Sequence, residues 1–332
     1  MDRLRERVVV TGGAGFIGSH LVDRLIASGH AQVIVFDDLS RGRLTNLERH
    51  AGEPRVTFVP GDVRDLEALK SAFAGAGVVY HLAARSLEMG QEEDVHGVFT
   101  SNVVGTFNVL TAAAAAGVKR VVFASARDVY GEPIALPVDE DHPLMAITTY
   151  GASKAAGELY CRVFRRKFGL QVIVLRLGDV YGPRDVGHAI PLWIERAAAG
   201  QDLHVQGGKE IIDFLWVDQA VEALVRGAAV DGSLPPINVA SGTGTRILDL
   251  ARRIVRLAEG RSQIKVLAPD ERGVTRFVAN VERMRQMLRL EPPLDPLSNL
   301  PLLLPTALAA AAAASAGPAP VAAIDAAPAA AG

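Results

Sequence analysis

The sequence predicts an α/β fold, an open parallel sheet with helices on both of its faces. Three observations carry this expectation. Short β-branched runs alternate with longer segments of helical periodicity from Arg7 to Leu177, as parallel strands and their crossover helices require. The chain opens with a strand, a glycine-rich turn, a helix and a second strand closing on an acid. The 332 residues are 49% hydrophobic and 22% charged, which suits one large core with a smaller lobe attached.

The elements follow in order. After Arg7, Val8 to Thr11 is β-branched throughout, as a strand buried on both faces should be. The turn Gly12-Gly13-Ala14-Gly15-Phe16-Ile17-Gly18 comes next, and Ser19 to Ser28 is an amphipathic helix with Leu21, Val22, Leu25 and Ile26 on one face. Val33 to Phe36 is a second buried strand ending in Asp37 and Asp38. Glycines at 12, 15 and 18 let the backbone approach a pyrophosphate at the helix N-terminus, a Rossmann arrangement. Asp37 stands where a carboxylate accepts hydrogen bonds from the adenosine ribose. It disfavours a 2′-phosphate there, so NAD is expected rather than NADP.

Further strands are expected at Val56 to Val59, closing on Gly61-Asp62-Val63-Arg64-Asp65, and at Val78 to His81, closing on Leu82-Ala83-Ala84. Residues 98–116 form a long apolar helix holding Asn102 and Gly105. Strands Val121 to Ser125 and Gln171 to Leu177 bracket a helix containing Tyr150 and Lys154. Ligands of such sheets bind beyond the carboxyl ends of the strands, the edge on which these loops lie. The expected division is 1–177 as the dinucleotide-binding domain, to which 210–230 returns. Segments 178–209 and 231–300 form an interleaved substrate lobe, including the strand Ile237 to Ala240. From Pro301 to Gly332 the chain turns to alanine with scattered prolines and reads as a flexible tail.

Composition excludes several classes. The net charge of −2 and the lack of a basic run argue against a nucleic-acid partner. One cysteine, Cys161, forbids an internal disulfide and a multi-cysteine metal site and suits a reducing, cytoplasmic setting. His188 and His204 have no partner at metal-ligand spacing, so no metal is expected. No signal-peptide core follows the charged start, and no stretch before Pro301 reads as long and apolar enough to span a bilayer.

Tyr150 and Lys154, four residues apart, share one helix face. An ammonium beside a phenol favours the phenolate and lowers a pKa that is ordinarily about 10. A tyrosine so tuned takes a proton from a sugar or alcohol hydroxyl. His81, Trp193 and Trp216 read as packing residues.

Taken in this order, Thr11 to Gly18, Asp37 to Arg43, Gly61 to Asp65, His81 to Ala84, Asn102, Tyr150 to Lys154 and Val180-Tyr181-Gly182-Pro183 resemble a known family. It is the extended short-chain dehydrogenase/reductases, specifically the NAD-dependent nucleotide-sugar epimerases and dehydratases. The likeness runs from about Arg7 to about Pro292, and Asp37 to Arg43 looks most like UDP-glucose 4-epimerases. The resemblance implies that NAD is held by Gly12, Gly15, Phe16, Ile17, Gly18, Asp37, Asp38, Asp62, Val63, Leu82, Ala83, Ala84, Asn102, Tyr150 and Lys154. It implies oxidation of a nucleotide sugar to a transient keto-sugar, Tyr150 as base, Lys154 as its activator, and a homodimer formed by the helix near 100–116 and the helix carrying Tyr150. Arg85, Asp179, Arg184 and Arg272 are the candidate substrate contacts.

Three positions depart from the family pattern. Ala126 stands where a serine or threonine relays the proton. Ser125 is kept as a catalytic candidate although strand alternation points it to the opposite face, and a water, Thr148 or Thr149 is expected to substitute. Asp179 replaces an asparagine near the substrate diphosphate, with Arg184 as its expected partner. Ile212 replaces an arginine clamp, for which Arg272 or Arg276 would stand in. Asp128 falls where dehydratases keep a glutamate, although its simpler reading is a loop-capping acid. Two alternatives stay open. One is a dehydrogenase or reductase of a non-phosphorylated sugar or alcohol. The other is an NAD-binding protein with little turnover.

Overall fold

The computed structural model describes residues 6–86, 94–269 and 274–315. The chain forms β1 (Arg7–Thr11), α1 (Phe16–Ala27), β2 (Gln32–Asp37), β3 (Val56–Pro60), α2 (Leu66–Phe73), β4 (Ala76–His81), α3 (Val95–Val98) and α4 (Gly105–Ala115). Then come β5 (Arg120–Ala126), α5 (Thr149–Phe168), β6 (Gln171–Leu177), β7 (Asp179–Tyr181), α6 (Ala189–Ala198), β8 (Leu203–Gln206), β9 (Ile211–Trp216) and α7 (Val217–Ala229). It closes with β10 (Ile237–Val239), β11 (Gly244–Arg246), α8 (Ile247–Leu257), β12 (Ile264–Leu267) and α9 (Leu304–Ser315).

Seven strands make one parallel sheet in the order β10-β6-β5-β4-β1-β2-β3. Alternate residues of each strand feed opposite cores. Val8 and Val10 of β1 join Val33 and Val35 in one, and Val9 joins Ile34 and Val79 in the other. Helices α1 and α7 pair with each other on one side of the sheet, and α4 packs against α2 and α5. The order of connection reverses between β1 and β4, and this switch point is where a ligand crevice opens in a doubly wound sheet.

The lobe is built from two small sheets, β11-β9-β7 and β12-β8. Two expectations fail here. The strand β9 pairs with β7 and β11 and stays in the lobe, so only α7 returns to the main sheet. Conversely, β10 hydrogen-bonds to β6 as the seventh main strand. A three-residue strand after Pro235-Pro236 has no periodicity to read, and its place depends on a partner distant in sequence.

The segment expected to be a flexible tail begins as structure. Ala307 is buried, and α9 packs on α6. The Val95–Ala115 helix is, by length and hydropathy, able to cross a bilayer, contrary to the sequence expectation. Its inner face is instead covered by α2 and α5, as for a core helix.

A buried polar network joins the sheet, α5 and the loops after β5. Arg176 on β6 meets Glu158 on α5 at 2.7 Å, with both side chains almost wholly buried. Ser125 donates to Glu158 at 2.6 Å, while Arg176 also donates to Tyr130 Oη and to the Glu140 carbonyl, each at 2.9 Å. The Tyr130 hydroxyl in turn reaches Asn238 on β10. Removing one partner leaves an uncompensated buried charge. Glu158→Ala is therefore expected to lower unfolding free energy by about 3 kcal/mol, read as a drop in the denaturant midpoint. A change below about 1 kcal/mol would show that the pair relaxes into solvent.

Candidate active site at the sheet switch point

A cavity of about 830 Å³ opens beyond β1, β4 and β5. One wall is the glycine turn. Gly12 has φ +71°, and a Cβ there would stand 2.7 Å from the Ala83 amide nitrogen. A Cβ on Gly18 would collide with the Gly12 carbonyl, so only glycine lets α1 start this close to β1. The first turn of α1 faces the cavity with no side-chain cap and no acid. That is a cradle for the pyrophosphate of a dinucleotide, and the residues present fit one.

Asp37 lies at the cavity wall, buried at the end of β2. It accepts from the Ala14 amide at 3.0 Å and the Leu39 amide at 2.8 Å. Burial pushes its carboxyl above the usual range, and the two amides pull it back. Asp38 lines the cavity too but accepts from the Ser40 amide and hydroxyl. Phe16, Ile17, Val63, Leu82, Ala83, Ala84 and Arg85 also line the cavity. Asp62 does not; its carboxylate is turned to the Arg64 guanidinium.

Asn102 differs from expectation. Its amide accepts from the Arg85 backbone N–H at 2.7 Å and donates to the Arg85 carbonyl at 2.8 Å and Ser153 Oγ at 2.9 Å. It sits in a wide π-turn, Phe99–Val104, and pins the loop after β4 from behind. His81 is likewise structural. It bridges Thr11 and Thr106 Oγ1 at 2.8 and 2.9 Å, and burial lowers it to about 3, so it stays neutral.

Thr148 caps α5 by accepting from the Gly151 amide at 3.0 Å, which sets Tyr150 and Lys154 at the cavity. Lys154 Nζ donates to the Ala124 carbonyl at 2.8 Å and lies 5.6 Å from the Tyr150 ring centre. Burial lowers it to about 8. The phenol moves opposite to the sequence expectation: burial raises it, Asp128 and Asp179 add to that, and Arg41 opposes.

Ala126 lines the cavity between these groups and Asp128. Ser125 points through the sheet to Glu158, since successive strand residues face opposite sides, and so cannot replace the hydroxyl. Neither Thr148 nor Thr149 lines the cavity. Asp179 is paired, although not with Arg184. Arg127 Nε meets its carboxylate at 2.9 Å and Nη2 at 3.3 Å, with Asp128 3.9 Å from Nε. Arg184 is held by Asp23 at 2.9 Å and Ser19 at 3.0 Å. Arg85 pairs with Asp94 at 2.8 Å. Arg276 faces Glu132 from outside the cavity, Ile212 is buried, and Arg272 lies outside the described residues. Trp193 and Trp216 pack in the lobe.

Sequence reasoning missed Arg127. Its signal was present, because an arginine beside the altered motif position and an aspartate in place of asparagine are complementary changes.

The model of the NAD dependent epimerase/dehydratase family matches residues 8–240. The chain belongs to that family. It is 35% identical over 294 residues to a UDP-glucose 4-epimerase of Mycolicibacterium smegmatis, covering 86% of this chain and 93% of that one. The crystal structure of a Thermotoga maritima UDP-glucose 4-epimerase with UDP-glucose matches at TM-score 0.84 and 29% identity, over 90% of this chain and 97% of that one. A Streptomyces venezuelae dTDP-glucose 4,6-dehydratase double mutant with NAD bound matches at TM-score 0.85 and 28% identity, over 90% and 96%. NAD is the cofactor of this site.

Gly12→Ala places a Cβ against Ala83 at a positive φ. It is expected to weaken NAD binding about tenfold or more, measured by calorimetry on NAD-stripped protein. Unchanged affinity would mean that the dinucleotide does not use this turn.

Proposed function

We propose that this chain epimerises or dehydrates a nucleotide sugar through a transient keto-sugar, with Tyr150 as the base and Lys154 as its partner. The carrying observation is that both side chains line the same cavity as the glycine cradle. Residues 1–177 would hold NAD, through the turn Gly12 to Gly18, Asp37, Val63 and Leu82 to Ala84, and the lobe would hold the sugar. The relatives named above support a nucleotide sugar as the substrate class.

The chain's own groups then divide the work. NAD, when bound, would supply reversible hydride transfer and, in its oxidised form, a positive charge. Tyr150 Oη accepts the sugar hydroxyl proton as the carbon is oxidised and gives it back on reduction. Lys154, anchored on the Ala124 carbonyl below the Tyr150 ring, favours the phenolate while it stays charged, which it does below about pH 8. Asp128 and Asp179 work against the phenolate, and Arg41 favours it.

A second reading is a dehydrogenase or reductase of a non-phosphorylated sugar. It draws on Asp179 and Ile212, both poor partners for a diphosphate. Net NADH accumulation with a free sugar would favour it, whereas redox-neutral conversion of a UDP- or dTDP-sugar would exclude it. A cytoplasmic homodimer is part of the main reading, since Phe107 on α4 and Leu159 and Val163 on α5 present exposed apolar side chains.

Tyr150→Phe is expected to lower kcat by at least about 10²-fold with NAD still bound, assayed on a panel of UDP-, dTDP- and GDP-sugars. Retained turnover would remove Tyr150 as the base. Ala126→Ser is expected to raise kcat by about tenfold, because it restores a donor at the reacting oxygen. No gain would point to another donor, and absence of turnover in both forms, with NAD bound, would favour a binding protein with little catalysis.

A further inference from the structure

The cavity wall between β7 and α6 carries a histidine that the catalytic assignment does not use. Most of the arginines around it are held by a carboxylate or a serine, although Arg127 keeps Nε and Nη1 without a hydrogen-bond partner among the described residues and Arg43 also lines the cavity. Arg127 is held by Asp179, Arg184 by Asp23 and Arg85 by Asp94, and Arg41 donates to Ser86. His188 is arranged differently. Its Nδ1 is hydrogen-bonded to Asp185, whose side chain is 1% exposed, while the imidazole itself is 45% exposed and lines the cavity. Nε2 has no hydrogen-bond partner among the described residues.

The buried carboxylate determines what Nε2 can do. Asp185 accepts, so Nδ1 carries a proton in either protonation state. Nε2 is then an acceptor in the neutral ring and a donor only in the cation. We propose that His188, oriented by Asp185, receives the diphosphate of the nucleotide sugar through Nε2, a role that rests on the nucleotide-sugar reading above. Asp179 is paired with Arg127 and Asp185 with His188, so neither carboxylate stands unopposed on this wall, and Nε2 is a donor that an anion can reach. A charge-assisted hydrogen bond to a phosphate oxygen is stronger than one to a sugar hydroxyl.

The groups facing His188 set the sign of its pH dependence. The Asp185 hydrogen bond raises its pKa above the usual histidine value, burial and Arg41 oppose, and the charges of Asp185 and Asp179 assist. The cation therefore persists above the ordinary midpoint and is lost as pH climbs further. A sugar diphosphate diester stays fully ionised throughout this range, so a pH-dependent affinity belongs to the protein.

The test is calorimetry of UDP-glucose binding to the full-length, NAD-loaded protein from about pH 6 to about pH 9. Wild-type affinity is expected to fall as pH rises. His188→Leu should weaken binding about tenfold at about pH 6 and flatten the profile, with NAD content unchanged. His188→Gln should keep part of the affinity and lose the pH dependence. Asp185→Asn should shift the fall to lower pH, because it removes the carboxylate that stabilises the cation. Equal affinity and an equal profile in His188→Leu overturn the role of His188 alone. If that variant does not fold, a flat wild-type profile overturns it equally. Holoprotein that keeps NAD but binds neither UDP-glucose nor dTDP-glucose overturns this role together with the nucleotide-sugar reading.

Discussion

The ion pair between Arg176 and Glu158 is the constraint on which the site depends. Two charges so deeply buried are tolerated because every remaining valence is used. Glu158 takes the Ser125 hydroxyl, and Arg176 holds Tyr130 and the Glu140 carbonyl. The pair therefore fixes β5 against α5, and that distance sets where Ala126 stands relative to Tyr150 and Lys154. Through Tyr130 and Asn238 the same network holds β10 at the edge of the sheet. The seventh strand is thus tied to the rest of the sheet by polar contacts as well as by its ladder hydrogen bonds.

The chemistry sits on the other face of the same strand. Ser125 serves the structural network and the next residue faces the cavity, so the alternation of β5 separates the two roles. With alanine at 126, that second role has no hydroxyl. One residue on, Arg127 brings a guanidinium into the lobe side of the cavity, and Asp179 neutralises it at 2.9 Å. The two half-buried side chains each offset the charge of the other, so the two departures from the family pattern are complementary.

The dinucleotide half was legible because it is local. Gly12 and Gly18 are required by backbone collisions within a few residues or across one strand connection, and Asp37 ends the very next strand. The Tyr150 and Lys154 spacing was readable for the same reason, as one helix face. Asn102 shows the limit of such reading. Its position in the motif set suggested the cofactor, whereas both ends of its amide are spent on the Arg85 backbone and Ser153.

Residue order alone was enough for the alternation of strands and helices, the glycine cradle, the acid at the end of β2 and the pairing of a tyrosine with a lysine. Each is a short-range pattern with one geometric outcome. Charge partners needed the folded chain. Arg184 is five residues from Asp179 yet pairs with Asp23, while Arg127, 52 residues away, makes the contact. The direction of the Tyr150 pKa also came from the fold, because burial and the carboxylates of Asp128 and Asp179 outweigh Arg41. The same holds for β10 and α9, whose places were set by partners far along the sequence. Electrostatics and packing act through space, and a linear pattern records only those neighbours that the chain itself keeps close.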